Sequence, residues 1–176
     1  RVEPILRAGL ERAIGLESQL SFEELFLELS QGIQLNDEFR ASKFIIAPAF
    51  WTTPLIFFDR IDKDTMLLMF GARPADMSVI PGETVPDALV RSLKALADPT
   101  RLTTLFSLSQ ESLTPSEIAR RLQLRPPTVT HHLKELRLAS LVEFSIEEDE
   151  NNRYTGRKQA LDAVYKQLNS FLENEP

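Results

Sequence analysis

Five polar side chains recur along one segment: Thr128, Thr130, His131, Lys134 and Arg137. Between them stand Val129, Leu133 and Leu136, apolar residues returning every three or four positions, the period of a helix with one buried stripe. Hydroxyl and imidazole groups suit base edges and phosphate oxygens, and Lys or Arg suits a phosphate or the acceptor edge of guanine. Further cations flank the segment, with Arg120, Arg121 and Arg125 before it and Arg153, Arg157 and Lys158 after it. The chemistry available to this set is reversible recognition of a polyanion. His131 and His132 are adjacent on a helix, so they point about 100° apart and cannot easily chelate one metal ion together. His131 is expected to face outward, and His132, at the edge of the apolar stripe, to be a half-buried structural residue. No Gly-rich phosphate loop, Ser/His/Asp set or defensible pair of inward-facing carboxylates stands elsewhere, so neither an enzyme nor a cofactor is expected.

The elements that must position these residues are legible around them. Thr114, Pro115 and Glu117 supply a cap, a first-turn proline and the closing residue of a capping box. Ile118, Ala119 and Leu122 give that helix an inner face. A break at Gln123-Leu124-Arg125 precedes a second helix opened by Pro126 and Pro127. Two short helices joined in this way form a helix-turn-helix, whose second helix enters the major groove of DNA. Residues 141–146, an acidic turn at 147–152 and residues 153–158 then read as strand, turn and strand, a wing. An amphipathic helix with Leu161, Val164, Tyr165, Leu168, Phe171 and Leu172 follows. Two helices precede the motif, the second opening at Asp98-Pro99. Asp98 is expected to cap it, while Arg101 is divided between a structural role and reach toward phosphate.

Residues 87–172 resemble the ArsR-type winged-helix repressors. The stretch Leu93-Lys94-Ala95-Leu96-Ala97-Asp98-Pro99-Thr100-Arg101-Leu102 is similar to that family's entry into its second helix. Thr128-Val129-Thr130-His131-His132-Leu133-Lys134-Glu135-Leu136 is similar to its recognition helix. The resemblance implies a sequence-specific transcriptional regulator, a repressor, that binds double-stranded DNA at an inverted-repeat operator. It also implies a homodimer built from the first and last helices of this domain, through Val90 and Leu93 with Leu161, Val164, Leu168 and Phe171. Three departures stand out. Arg125 occupies a position where the family often has a capping Ser, so the cap is either missing or replaced by a phosphate contact. Ser140 stands where the family usually has Gly, so the turn there must be made without it. With no cysteine in the chain and both histidines in the recognition helix, metal sensing is not expected.

The net charge is −6, which argues against a simple polycation. Its distribution is uneven: residues 1–90 carry 8 basic and 14 acidic side chains, residues 91–137 carry 8 and 4, and residues 138–176 carry 4 and 8. A positive island in an acidic chain suits a localised anion-binding surface, and also an ordinary solvated helical face. The absence of cysteine fits a reducing cytoplasm. The most apolar stretch, residues 44–58, is broken by Pro48 and Pro54 and falls short of the roughly 20 residues that span a bilayer. The chain opens at Arg1 rather than Met, which suggests a trimmed sequence.

The expected fold class is α+β: a winged helix-turn-helix over residues 87–176, a linker at 72–86, and a small helix-plus-antiparallel-sheet lobe over residues 1–71. That lobe holds two helices, the second capped by Ser21 and Glu24, then short strands with a hairpin tip at Asp62-Lys63-Asp64. Eight of the eleven Phe and the single Trp lie in residues 1–90. Phe50, Trp51, Phe57 and Phe58 are expected to form sheet core rather than a ligand pocket. The lobe would receive a small-molecule or protein signal. The alternative function is a winged-helix protein-interaction or dimerisation module without sequence-specific DNA binding, distinguished by a shallow dependence on salt.

Overall fold

The computed structural model describes residues 2–35, 43–53, 56–78, 85–145 and 152–173. The chain divides into two compact units, Arg1–Pro74 and Ala75–Pro176. No helix among the described residues is long and apolar enough to cross a membrane.

In the first unit, helix α1 (Glu3–Glu17) and helix α2 (Phe22–Leu29) precede a two-residue strand β1 (Ile33–Gln34) and the strands β2 (Lys43–Ala49), β3 (Phe57–Arg60) and β4 (Thr65–Gly71). The capping box at the head of α2 forms as its residues require: the Glu24 amide donates to Ser21 Oγ at 3.3 Å, and the Ser21 amide donates to Glu24 Oε2 at 2.9 Å. One face of α1 carries the small residues Gly9 and Ala13, and these are buried while Leu10 and Ile14 face solvent. A Cβ on Gly9 would stand 2.7 Å from Ala72 Cβ, so the helix backbone approaches more closely than a larger residue allows. Met66, Leu68 and Phe70 point inward from β4, and the Phe22 and Phe44 rings meet at 4.3 Å between centroids.

The sheet order is β2-β4-β3. The expected hairpin between β3 and β4 is antiparallel, with the Asp64 amide donating to Asp62 Oδ1 at 2.8 Å to tighten its tip. The expectation of a wholly antiparallel sheet is corrected: β2 runs parallel to β4, Lys43 opposite Thr65 through Ala49 opposite Gly71. The aromatic core also lies elsewhere than expected. Trp51 is 73% exposed and Phe57 half exposed, because Phe57 shares with Ile45 the sheet face opposite Leu68.

The second unit comprises α3 (Asp87–Leu96), α4 (Pro99–Gln110), α5 (Pro115–Leu122), α6 (Pro126–Leu138), β5 (Val142–Ser145), β6 (Arg153–Gly156) and α7 (Lys158–Glu173). Leu108, Ile118, Val129, Leu133, Leu136 and Leu141 are essentially inaccessible to solvent and form one core. Strands β5 and β6 pair antiparallel, Val142 opposite Gly156 and Ser145 opposite Arg153. The acidic tip at 147–150 lies outside the described residues, as does the 79–84 stretch of the expected linker. Tyr154 and Leu113 exchange reciprocal backbone hydrogen bonds of 2.9 and 2.8 Å, which anchor β6 to the segment entering α5. A Cβ on Gly156 would meet the Ser109 nitrogen at 3.2 Å, so the strand lies directly on the α4 backbone.

Two side-chain-bearing residues adopt left-handed backbone at the ends of α6: Gln123 at φ 53° before it and Ser140 at φ 57° after it. The expected turn without glycine is thus made at a cost in strain. Ser140→Gly should raise the free energy of unfolding by about 1 kcal/mol, less whatever the freer unfolded chain takes back, as read by thermal denaturation.

Candidate nucleic-acid interface

Helix α5 starts on a capping box in which the Glu117 amide donates to Thr114 Oγ1 at 3.3 Å and the Thr114 amide donates to Glu117 Oε2 at 2.8 Å. The Thr114 amide, and then the Thr114 hydroxyl at 3.1 Å, donate to the Glu117 carboxylate and hold it below its ordinary range. The helix ends at Gln123, where the Leu124 amide returns to the Ala119 carbonyl at 2.9 Å. Helix α6 follows with Pro126 and Pro127 in its first turn. Proline has no amide hydrogen, and the Thr128 amide already donates to the Arg125 carbonyl at 3.0 Å. Arg125 makes no side-chain cap, which settles that half of its alternative and leaves its exposed guanidinium uncommitted to the helix. The backbone donors that make many helix starts attractive to phosphate are therefore depleted here.

Val129, Leu133 and Leu136 turn into the core, and Thr128, Thr130, His131 and Lys134 are exposed on the other side of α6. Thr130 Oγ1 donates to the Pro126 carbonyl at 3.1 Å. Arg120 and Arg121 are exposed on the last turn of α5, and Arg121 pairs with Glu111 at 2.6 Å across solvent. Such an exposed pair is worth a fraction of a kcal/mol, so Arg121 can exchange partners readily.

The remaining expected contacts are occupied within the fold. Arg137 is half-buried, its guanidinium 4.6 Å from the centre of the Phe144 ring, which itself stacks on Tyr154 at 5.7 Å. Arg153 Nη2 donates to the Ser112 carbonyl at 2.6 Å and lies 3.4 Å from Glu117 Oε2. Arg157 Nη1 donates to the Ser140 carbonyl at 3.5 Å, with Nε 3.4 Å from Glu143 Oε1. These three residues brace the wing against the helix-turn-helix. Arg101 also resolves toward structure: it donates to the Ala95 carbonyl at 2.9 Å and the Lys94 carbonyl at 2.8 Å, closing the end of α3, while Asp98 accepts from the Arg101 amide at 2.8 Å.

Among the dimerisation residues, Leu93 and Leu161 are exposed, whereas Val90, Val164, Leu168 and Phe171 are half-buried. Tyr165 and Leu172 extend the exposed set on α7, and Leu102 and Phe106 form a further exposed pair one turn apart on α4. No group of three His, Cys, Asp or Glu able to hold a metal ion occurs among the described residues.

His132 is buried rather than half-buried, and its Nδ1 has no hydrogen-bond partner among the described residues. Burial pushes its pKa below the ordinary histidine value, the Asp98 carboxylate pulls the other way, and Arg101 and His131 add to the lowering. With the folded value depressed, the unfolded chain takes up the proton first. Stability is therefore fully present above the ordinary value of 6.5 and is lost as pH falls through the folded value. Urea unfolding at about pH 7.5 and about pH 5.5 should register that loss, and His132→Gln should abolish it. In the same assay at neutral pH, Arg153→Ala should cost about 1 kcal/mol, and pairing it with Glu117→Ala should cost less than the sum of the two.

Residues 98–143 match the family model of the bacterial regulatory proteins of the arsR family. No curated protein matches the chain. Among solved structures, the chain is similar to NolR from Sinorhizobium fredii, at 28% identity over 49% of this chain and 83% of that one, with a TM-score of 0.40. It is similar to an ArsR-like transcriptional regulator from Rhodococcus sp. RHA1, at 26% identity over 47% and 77%, TM-score 0.43. It is also similar to the transcriptional regulator HlyU from Vibrio vulnificus CMCP6, at 33% identity over 48% and 86%, TM-score 0.38.

Proposed function

The C-terminal half of the chain is an ArsR-type winged helix-turn-helix of a DNA-binding transcriptional regulator, and from that premise we propose that it represses transcription as a homodimer on an inverted-repeat operator. The observation that carries this reading is the two-sidedness of α6, with Val129, Leu133 and Leu136 buried and Thr128, Thr130, His131 and Lys134 exposed. Thr128, Thr130 and His131 would lie against base edges in the major groove. Lys134, Arg125, Arg120 and Arg121 would hold phosphates on either side, which compensates for the donor-poor start of α6. Arg137, Arg153 and Arg157 would contribute by fixing the wing.

The exposed Leu93, Leu161, Tyr165 and Leu172 on α3 and α7 support dimerisation through those helices. A two-fold axis there would set the two α6 helices about 34 Å apart, one turn of duplex. The first unit would receive the signal that releases the operator, and a reducing cytoplasm would be the setting.

The test is a selection from random duplexes followed by anisotropy titrations over a range of salt. An inverted repeat should be enriched, and affinity should fall steeply with ionic strength. Lys134→Ala and Arg125→Ala should each lower the slope of log K against log salt by about 1, while Arg153→Ala leaves the slope unchanged. Failure to enrich any duplex, with only shallow salt dependence, would overturn the reading in favour of a docking module.

A further inference from the structure

The chemistry at the leading end of α6 narrows what it can read. Thr130 is exposed, yet its hydroxyl hydrogen is committed to the Pro126 carbonyl one turn earlier, at 3.1 Å. Tying Oγ1 back to the helix leaves the Cγ2 methyl as the unengaged part of the side chain. The neighbouring Pro126 and Pro127 are also exposed, and they present ring carbons where other residues would present amide hydrogens. The backbone at this end of the helix is thus short of donors, and the surface next to the Thr130 methyl is ring carbon.

In the major groove guanine displays only acceptors, N7 and O6, whereas thymine displays its C5-methyl beside one acceptor. An oxygen whose hydrogen is already bonded offers guanine lone pairs against lone pairs. A methyl beside two proline rings offers the thymine C5-methyl an apolar contact and sets no lone pair against it. Resting on the reading of α6 as the recognition helix, we propose that Thr130 is a specificity-determining residue that selects a thymine methyl and rejects guanine at the base pair beneath it. The half-site therefore carries an A·T pair at that position, oriented with its thymine toward Thr130.

Selections from random duplexes with the wild-type protein and with Thr130→Ala locate the position, since it is the one whose preference relaxes. At that position thymine is expected, and replacing it with deoxyuridine, which lacks only the methyl, should weaken wild-type binding about fourfold. The same replacement should leave Thr130→Ser unaffected, and Thr130→Val, which keeps a methyl and loses the hydroxyl, should retain the thymine preference. Selection of guanine, cytosine or adenine there, indifference to deoxyuridine, or loss of the preference in Thr130→Val would overturn the proposal. So would an enriched repeat identical for wild type and Thr130→Ala, while leaving DNA binding itself intact. The absence of any enriched duplex would overturn both.

Discussion

Three side chains on α6 govern the rest of the second unit. Val129, Leu133 and Leu136 are almost wholly withdrawn from water, and burying each of them stabilises the fold by about 1.5 to 3 kcal/mol. Rolling the helix by one residue, about 100°, would bring Thr130, Lys134 and Arg137 into the core in their place, at the cost of desolvating two charges. That asymmetry fixes the rotation of α6 about its own axis. The orientation of Thr128, Thr130, His131 and Lys134 is thus a by-product of packing, with no contact of their own needed to aim them.

Around this fixed helix the unit sorts its cations into two groups. Arg120, Arg121, Arg125 and Lys134 stay exposed, on one short stretch of chain around the turn and the outer face of α6. Arg101, Arg137, Arg153 and Arg157 are drawn onto carbonyls, an aromatic face or carboxylates inside the fold. The second group explains why the wing can be held without a large core of its own. Its base is tied to α5 through the Leu113 and Tyr154 backbone and through Arg153, which shares Glu117 with the α5 cap.

Local signals in the sequence were dependable and distant ones were not, for a physical reason. The capping boxes at Ser21 and Thr114 and the Asp98 cap involve residues three apart, so composition alone announces them. The outer face of α6 follows from helical period. Arg153 reads as a free wing cation because its partner, the Ser112 carbonyl, stands 41 positions away and carries no mark in the sequence. The parallel pairing of β2 with β4 escaped for the same reason, since turn residues report only local reversals of direction. On α1 the buried face is the one with Gly9 and Ala13, where the backbone approaches closely, and the larger apolar Leu10 and Ile14 stay exposed, which apolar content alone does not announce.

The contact at Gly156 has a mechanical side. Between most packed elements lie side chains that can change rotamer and absorb a small displacement, so motion of one element is damped before it reaches the next. At Gly156, where β6 rests on α4, backbone meets backbone, with 3.2 Å from the missing Cβ to the Ser109 nitrogen. Interiors packed at this density transmit strain instead of dissipating it. A displacement of α4 at Ser109 would therefore pass to the wing strand at Gly156 with no rotamer between them to take it up.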